Sequence, residues 1–366
     1  MERMNGNRVY NFNPGPAALP LEVLEQAKEQ FVAYGGEGMS LMEMSHRSGT
    51  VEQLMEETQM LLLEALALPA GYHVLFMGGG ASSQFALIPM NFIGAGRPGS
   101  YVLTGSFAEK AYEEAALVGE TAVAASSKAQ KWAALPEQGD LSIAANSAYV
   151  HITVNNTIEG SQYRELPDTG DVPLIGDMTS DILSCRRDLS RFAMVYAGAQ
   201  KNLGPAGVTA VVIRDDFAKE ARSDIPVIFR YGTYVKNRSL YNTPPVHSIY
   251  MVNLVLQWVR EQGGVAALEQ RNRTKAKLLY DTIDASGGFY KGMVENKHRS
   301  IMNITWRMQD EALEKRFVQE SEREGFAGLA GHRSVGGMRA SAYNAVPLAA
   351  CEALAAFMKH FQQRHG

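Results

Sequence analysis

The sequence predicts an α/β protein: a mostly parallel sheet covered by helices on both faces, with a second, smaller α+β domain. Three observations predict it. Short apolar runs recur at 72–77, 101–105, 149–154, 172–177, 192–198 and 208–213, several of them separated by helical or loop segments. Runs without polar alternation suit strands buried on both faces. A glycine turn, "GGG" at 78–80, leads straight into "ASSQFALIPMNFI", whose small-residue start suits a helix N-terminus. After "YNTPPVHSIYMVNLVLQWVREQGG" the pattern turns to helices beside a few strands, the signature of a smaller α+β unit.

Taken in order, residues 50–68 have apolar positions at helical spacing, with Thr50 as the expected cap of the first turn. A strand at 72–77 and the helix after the glycine turn follow. The later runs supply further strands, and a long helix is expected from Val246 to Glu261, ended by Gly263 and Gly264. Beyond it come a helix in "VAALEQRNRTKAKLLYDTID", a strand in "IMNITW", an amphipathic helix near 310–324, a strand in "GGMRASAY" and a final helix. The expected division is a large domain over 17–262, with 1–16 and 263–366 forming the small domain and an N-terminal arm.

Bulk properties narrow the function classes. With 366 residues, 46% hydrophobic and 20% charged, the chain can bury a sizeable core. A formal charge of −4 without a basic stripe argues against nucleic acid or membrane surfaces as partners. The opening "MERMNGNRVYNFNPGPAALP" lacks a signal-peptide apolar core, so a cytoplasmic protein is expected. Cys185 and Cys351 are too few for a disulfide framework or a cysteine zinc site.

Chemistry concentrates around one lysine. In "VYAGAQKNLGPAGVTAVV", 195–212, Lys201 stands among Ala, Gly, Gln and Asn at a turn between two apolar runs. A partly desolvated lysine has a lowered pKa and serves as a nucleophilic amine or Schiff-base former. Pyridoxal phosphate chemistry needs such an amine, a carboxylate for the pyridine nitrogen, a phosphate cradle and an aromatic cover for the ring. Asp177, at the end of "VPLIGD", is the candidate carboxylate, because ligands of open α/β sheets sit at C-terminal strand ends. Asp181 is the competing acid and reads as a structural cap. "GGGASSQ", 78–84, offers backbone N–H groups at a helix start, and Phe107 in "LTGSFAEKA" is the candidate ring cover. Two His-Arg pairs, His46 with Arg47 and His332 with Arg333, together with Arg339, suggest a substrate carrying a carboxylate and a second, strongly anionic group.

These residues fall within a longer series: "FNPGPAALP", "MEMSHRS", "GGGASSQFALIPMN", "TGSFAEKA", "NNTIEG", "GDMTSDILS", "YAGAQKNLGPAG", "YNTPP", "SGGFY" and "GHRSVGGMRASAYNAVP". In order and over nearly the whole chain, the series resembles the phosphoserine aminotransferase family, within the aspartate-aminotransferase-like, fold-type I pyridoxal phosphate enzymes. The resemblance implies a seven-stranded sheet, pyridoxal 5'-phosphate as cofactor and a cytosolic homodimer with a shared site. It implies that Lys201 bonds the cofactor aldehyde, Asp177 pairs with the pyridine nitrogen and Thr157 meets the ring hydroxyl. Ala81, Ser82 and Gln200 would hold the phosphate, joined by Asn242 and Thr243 from the partner subunit. Arg339 would take the substrate α-carboxylate, and His46, Arg47, His332 and Arg333 would surround the distal phosphate or γ-carboxylate. The implied reaction is transamination between L-glutamate and 3-phosphohydroxypyruvate, giving O-phospho-L-serine and 2-oxoglutarate. Phe107 departs from the family, which usually has Trp there; Phe stacks but has no indole N–H, so weaker cofactor binding is expected. "GGGAS" resembles the variant of the motif without an arginine.

Rival readings fit less well. A cysteine desulfurase wants a cysteine on a Gly/Ser-rich mobile loop, and neither cysteine lies in one. A small amino acid:glyoxylate aminotransferase does not need two His-Arg pairs. A non-catalytic phosphate- or nucleotide-binding module leaves Lys201, Asp177 and Arg339 without a purpose.

Overall fold

A computed structural model describes residues 8–366; residues 1–7, the start of the expected N-terminal arm, lie outside the described residues. Seven strands form the central sheet: Tyr72–Met77 (β1), Gly99–Leu103 (β2), Thr121–Ser126 (β3), Tyr149–Thr153 (β4), Leu174–Asp177 (β5), Phe192–Gly198 (β6) and Thr209–Arg214 (β7). Their order across the sheet is β1-β7-β6-β5-β4-β2-β3. Only β7 runs against its neighbours, pairing antiparallel with both β1 and β6, so the expected mostly parallel, seven-stranded α/β sheet is what forms. Strand β3 and the helix before it had no place in the sequence reading, because "TAVAAS" is built of small residues without a bulky apolar run.

Both faces of the sheet are covered, and the two-residue period of a strand divides the side chains between them. Val74, Phe76, Val102, Ile152, Val195 and Val212 pack under the helices Gly49–Ala65 and Val246–Glu261. Leu75, Met77, Tyr101, Tyr149, Met194 and Tyr196 face the other way, against Phe85, Ile88 and Phe92 of the helix Gly80–Phe92 and the alanines of the helix Ser106–Val118. Helices Leu21–Glu29 (α1), Gly49–Ala65 (α2), Gly80–Phe92 (α3), Ser106–Val118 (α4) and Val246–Glu261 (α5) thus sandwich the sheet. The cap of α2 differs from expectation. Ser48, not Thr50, accepts the Val51 N–H, because the helix begins one turn-step earlier at Gly49; Thr50 Oγ1 instead donates to Glu37 at 2.7 Å.

A third core lies beyond α5. Helix Gly264–Asp284 (α6), the strands Lys291–Gly292 (β8), Asn303–Arg307 (β9) and Met338–Ser341 (β10), and the helices Glu311–Arg323 (α7) and Leu348–His365 (α8) enclose Trp306, Phe317, Met338, Leu354 and Phe361. The N-terminal segment joins this core: Tyr10–Asn11 pairs in parallel with Phe326–Ala327, and Phe12 is fully buried there. The segment then crosses to the central sheet, where Ala17 N–H donates to the Gln200 carbonyl at 2.9 Å.

One buried cation holds the chain as it leaves β10. Lys275 of α6 is 1% exposed, and its Nζ donates to the carbonyls of Ala342, Tyr343 and Val346 at 3.0, 2.7 and 2.9 Å. A methionine there would keep the stem's packing and leave three buried carbonyls without that donor. Lys275→Met should lower unfolding stability by about 3 kcal/mol, measured by urea titration followed by circular dichroism. An unchanged midpoint would show that the carbonyls find other partners.

Candidate active site

A cavity of about 280 Å³ opens where β4, β5 and β6 end, between the start of α3 and the start of β10. Local sequence explains each wall. Gly79 holds φ = +90°, and a Cβ there would fall 1.9 Å from Ser83 Oγ, so the turn into α3 needs glycine. The unpaired N–H groups of the first turn, at Ala81 and Ser82, therefore border the cavity. Phe107, the second residue of α4, presents its ring, whose centroid lies 5.6 Å from Lys201 Nζ. Gly15 passes so close that a Cβ would sit 3.3 Å from Lys201 Cε, which brings the N-terminal segment to the rim.

Lys201 is 9% exposed, and its Nζ donates to Thr157 Oγ1 at 2.6 Å. Burial lowers its pKa from 10.5 to about 8; Asp177 opposes the shift and the Arg339 guanidinium adds to it. Asp177 is 5% exposed and accepts the Thr179 N–H at 2.9 Å. Burial raises its pKa, against hydrogen bonding from Thr179 and Tyr196 and the charge of Lys201. Asp181 points elsewhere: it accepts from Arg187 at 3.0 Å and from Gln162 at 3.2 Å in a buried ion pair. The competing acid is thus structural, as an ion-pair member and not as a cap.

Arg339, on β10, is 5% exposed and donates through one terminal nitrogen to the Thr157 carbonyl at 3.1 Å, while its Nε has no partner among the described residues. Burial lowers its pKa, with Tyr343 and Glu159 opposing. His332 also lines the cavity, its Nδ1 2.7 Å from Ser334 Oγ. Burial and then the charges of Arg339, Arg333 and Lys110 lower its pKa.

The structure therefore brings together Ala81, Ser82, Phe107, Thr157, Asp177, Gln200, Lys201, His332 and Arg339. It does not bring the others to this cavity. His46 Nδ1 lies 3.3 Å from Thr243 Oγ1, with Arg47 and Asn242 beside them in sequence and exposed, forming a separate surface cluster. Arg333 is exposed and borders a different groove, with Arg307 and Glu314.

Several polar residues of the cavity escaped sequence reasoning. Thr153, Asn155, Thr179 and Ser180 line it. Asn155 Nδ2 donates to Ser180 Oγ and to Asn303 Oδ1, each at 2.7 Å. Glu159 caps α4 by accepting the N–H and the hydroxyl of Ser106 at 2.8 and 2.7 Å, which fixes the turn that carries Phe107. Only the adjacency of Asn155 and Glu159 to Thr157 in "NNTIEG" signalled them.

Fold and cavity together place a buried lysine, a buried carboxylate and a buried arginine at the strand ends of an α/β sheet. A family model for class-V aminotransferases matches residues 9–354, and the chain belongs to that family. Within it, the chain's place is with the phosphoserine aminotransferases. It is 58% identical over 359 residues to the phosphoserine aminotransferase of Niallia circulans, covering 98% of this chain and 99% of that one. The solved phosphoserine aminotransferase from Bacillus circulans subsp. alkalophilus superposes with a TM-score of 0.97 at 58% identity, covering 99% and 100% of the two chains. A PLP-bound phosphoserine aminotransferase from Trichomonas vaginalis gives a TM-score of 0.91 at 35% identity, covering 96% and 100%.

The lowered pKa of Lys201 has a measurable effect. Its folded value, about 8, lies below the ordinary 10.5, so between those values the unfolded chain holds more protons and stability rises with pH. For the cofactor-free protein, the stability difference between wild type and Lys201→Met should move in favour of wild type by about 3 kcal/mol from below pH 8 to above pH 10.5. Urea unfolding at several pH values measures it. A constant difference would mean that Lys201 ionises as it would in water.

Proposed function

We propose that this chain is a pyridoxal 5'-phosphate-dependent phosphoserine aminotransferase that passes an amino group from L-glutamate to 3-phosphohydroxypyruvate, yielding O-phospho-L-serine and 2-oxoglutarate. The observation that carries the reading is a buried lysine with a lowered pKa in one cavity with a buried carboxylate and an arginine whose Nε is unpartnered. The donor set suits the cofactor: backbone N–H groups at a helix start for phosphate, Asp177 for a protonated ring nitrogen, Phe107 for the ring face and Thr157 Oγ1 for its hydroxyl. Bound cofactor supplies an aldehyde for the substrate amine and an electron-withdrawing ring.

The protein's own groups do the rest. Ala81, Ser82 and Gln200 would hold the phosphate, and Asp177 would keep the ring nitrogen protonated. Lys201 Nζ, when neutral, would take up the substrate α-proton and give it back, moving it within the cavity. A pKa near 8 favours that exchange, because an appreciable fraction of the amine is neutral near physiological pH. Arg339 receives the α-carboxylate on its free edge.

The distal end must accept a γ-carboxylate and a phosphate monoester in turn. His332 lies in the cavity, whereas half-buried His46 and exposed Arg47, Asn242 and Thr243 cluster outside it. This separation supports a homodimer in which that cluster completes the cavity of the partner subunit, with Arg333 reaching in from its exposed loop. Residues 17–262 would form the cofactor-holding domain, with 263–366 and the N-terminal arm as the smaller one. Among the described residues no helix is long and apolar enough to cross a membrane, and a cytoplasmic enzyme fits that observation.

The purified protein should be yellow, or become so with added pyridoxal phosphate, and should bleach with O-phospho-L-serine but not with L-alanine. Bleaching by both would keep the aminotransferase and discard the substrate; no colour would leave Lys201 a loop lysine. Arg47→Ala or Arg333→Ala should lower kcat/KM for phosphoserine by at least about tenfold and barely affect alanine. An unchanged preference would remove the distal subsite.

A further inference from the structure

The loop that carries His332 and Arg333 leaves the smaller core and returns to it through a neck rich in glycine. Gly331 N–H donates to the Gly337 carbonyl at 2.9 Å, and Ala330 bridges Met338. The tip turns on the His332 carbonyl, which accepts from the N–H groups of Val335 and Gly336 at 2.9 and 2.8 Å. A Cβ on Gly331 would fall 2.1 Å from the Gly336 oxygen. Gly337 holds φ = +72°, and its Cβ would meet the Trp306 oxygen at 2.7 Å. Glycines bring no side chains with which such a neck could fix itself.

The hold comes from outside. Glu314, in the first turn of α7, is 8% exposed. Its Oε2 accepts Gly337 N–H at 3.2 Å, and its Oε1 accepts Met308 N–H, just past β9, at 3.1 Å. One carboxylate thus joins α7, the end of β9 and the exit of the loop, through bonds strengthened by its charge. Arg307 adds a second tie by donating to the Val335 carbonyl. Beyond the neck the side chains part: His332 lines the active-site cavity, and Arg333 borders the groove beside α7. A displaced neck would carry both with it.

We infer that Glu314 is a positioning residue for the distal subsite: by pinning Gly337 it fixes the pivot from which the loop presents His332 and Arg333 to the far end of the substrate. The inference rests on the proposed role of those two residues. Glu314 does not line the cavity and acts only through the loop. Arg339 is held separately, by pairing across β9 and β10 opposite Thr305, so the α-carboxylate end keeps its place when the neck is released. The charge of Glu314 works against the tether. A carboxylate near Arg333 weakens the attraction for an anion, so losing the charge and losing the tether shift substrate affinity in opposite directions.

The test uses the full-length holoenzyme and the variants Glu314→Ala, Glu314→Gln, Glu311→Gln and Arg333→Ala. Glu311 is exposed in the same groove and serves as the control for charge. Two quantities are read: kcat and KM with phosphoserine and 2-oxoglutarate, and the rate of tryptic cleavage after Arg333, with the fragments identified by mass. Thermal midpoints establish that each variant folds. Glu314→Ala should raise the phosphoserine KM about tenfold with kcat within about twofold, and should speed cleavage after Arg333 at least about fivefold. Glu314→Gln keeps one acceptor oxygen and should shift both readings the same way by less. Glu311→Gln should leave cleavage unchanged and KM no higher. If Glu314→Ala does not fold, Glu314→Gln decides by the same two readings. A phosphoserine KM that falls in the Glu314 variants, a control that matches them, or unchanged cleavage and KM beside an impaired Arg333→Ala would overturn this inference alone. An Arg333→Ala enzyme with unaltered phosphoserine kinetics would overturn the distal reading and this inference with it.

Discussion

Everything in the structure turns on keeping an amine and a carboxylate out of water within one small cavity. Burial pushes Lys201 and Asp177 toward their neutral forms, and each opposes the shift in the other. Such a pair is costly to bury and is held only by a rigid surround. The central sheet supplies that rigidity: Asp177 ends β5, and Lys201 follows β6 by three residues, so both stand on adjacent parallel strands. Asp181, by contrast, is paired through Oδ2 with Arg187 and lines no part of the cavity, which leaves Asp177 as the acid turned toward it.

The second requirement is to bring Arg339 from the smaller sheet to the same spot. A buried network of amides and hydroxyls does this. Asn155 bonds Ser180 and Asn303 and accepts from Ser300; Asn303 reaches Ser341 and Tyr343, and the Tyr343 hydroxyl donates to the Pro14 carbonyl. The segments that follow β4 and β5, the smaller sheet and the N-terminal segment are thereby tied into one set. Such networks specify a single arrangement because breaking any member leaves buried groups unpaired. Lys275 extends the same logic past β10, where three carbonyls converge on one ammonium.

Much of this was legible in the sequence, for physical reasons that differ from element to element. Strands β1, β4, β5, β6 and β7 announced themselves because a twice-covered strand must be apolar throughout. Helix α5 was legible to the residue, Val246 to Glu261, since glycines end its apolar periodicity. Strand β3 was not, because its alanines and threonine pack by being small. Lys201 and Asp177 stood out as charges against apolar surroundings. Asn155 did not, because its meaning lies in pairings across strands that no local pattern encodes. Asp181 looked like a cap, since its partner Arg187 becomes visible only when the turn between them folds.

On the proposed reading, the distribution of cations separates a fixed end of the site from an adaptable one. Arg339 sits on a strand, 5% exposed, with one nitrogen committed to the Thr157 carbonyl, so it offers one geometry, as a group common to both proposed amino-acid substrates requires. His332 and Arg333 sit instead on the loop before β10, where Gly336 and Gly337 adopt positive φ and Arg333 is exposed. A planar γ-carboxylate and a tetrahedral phosphate differ in shape and charge, and no single rigid fork fits both. Mobile or separately supplied cations can meet each in turn at modest entropic cost, because the rigid end has already fixed the substrate's orientation. On the proposed reading, selectivity thus resides in loops and in a second surface, while the chemistry is confined to the strands.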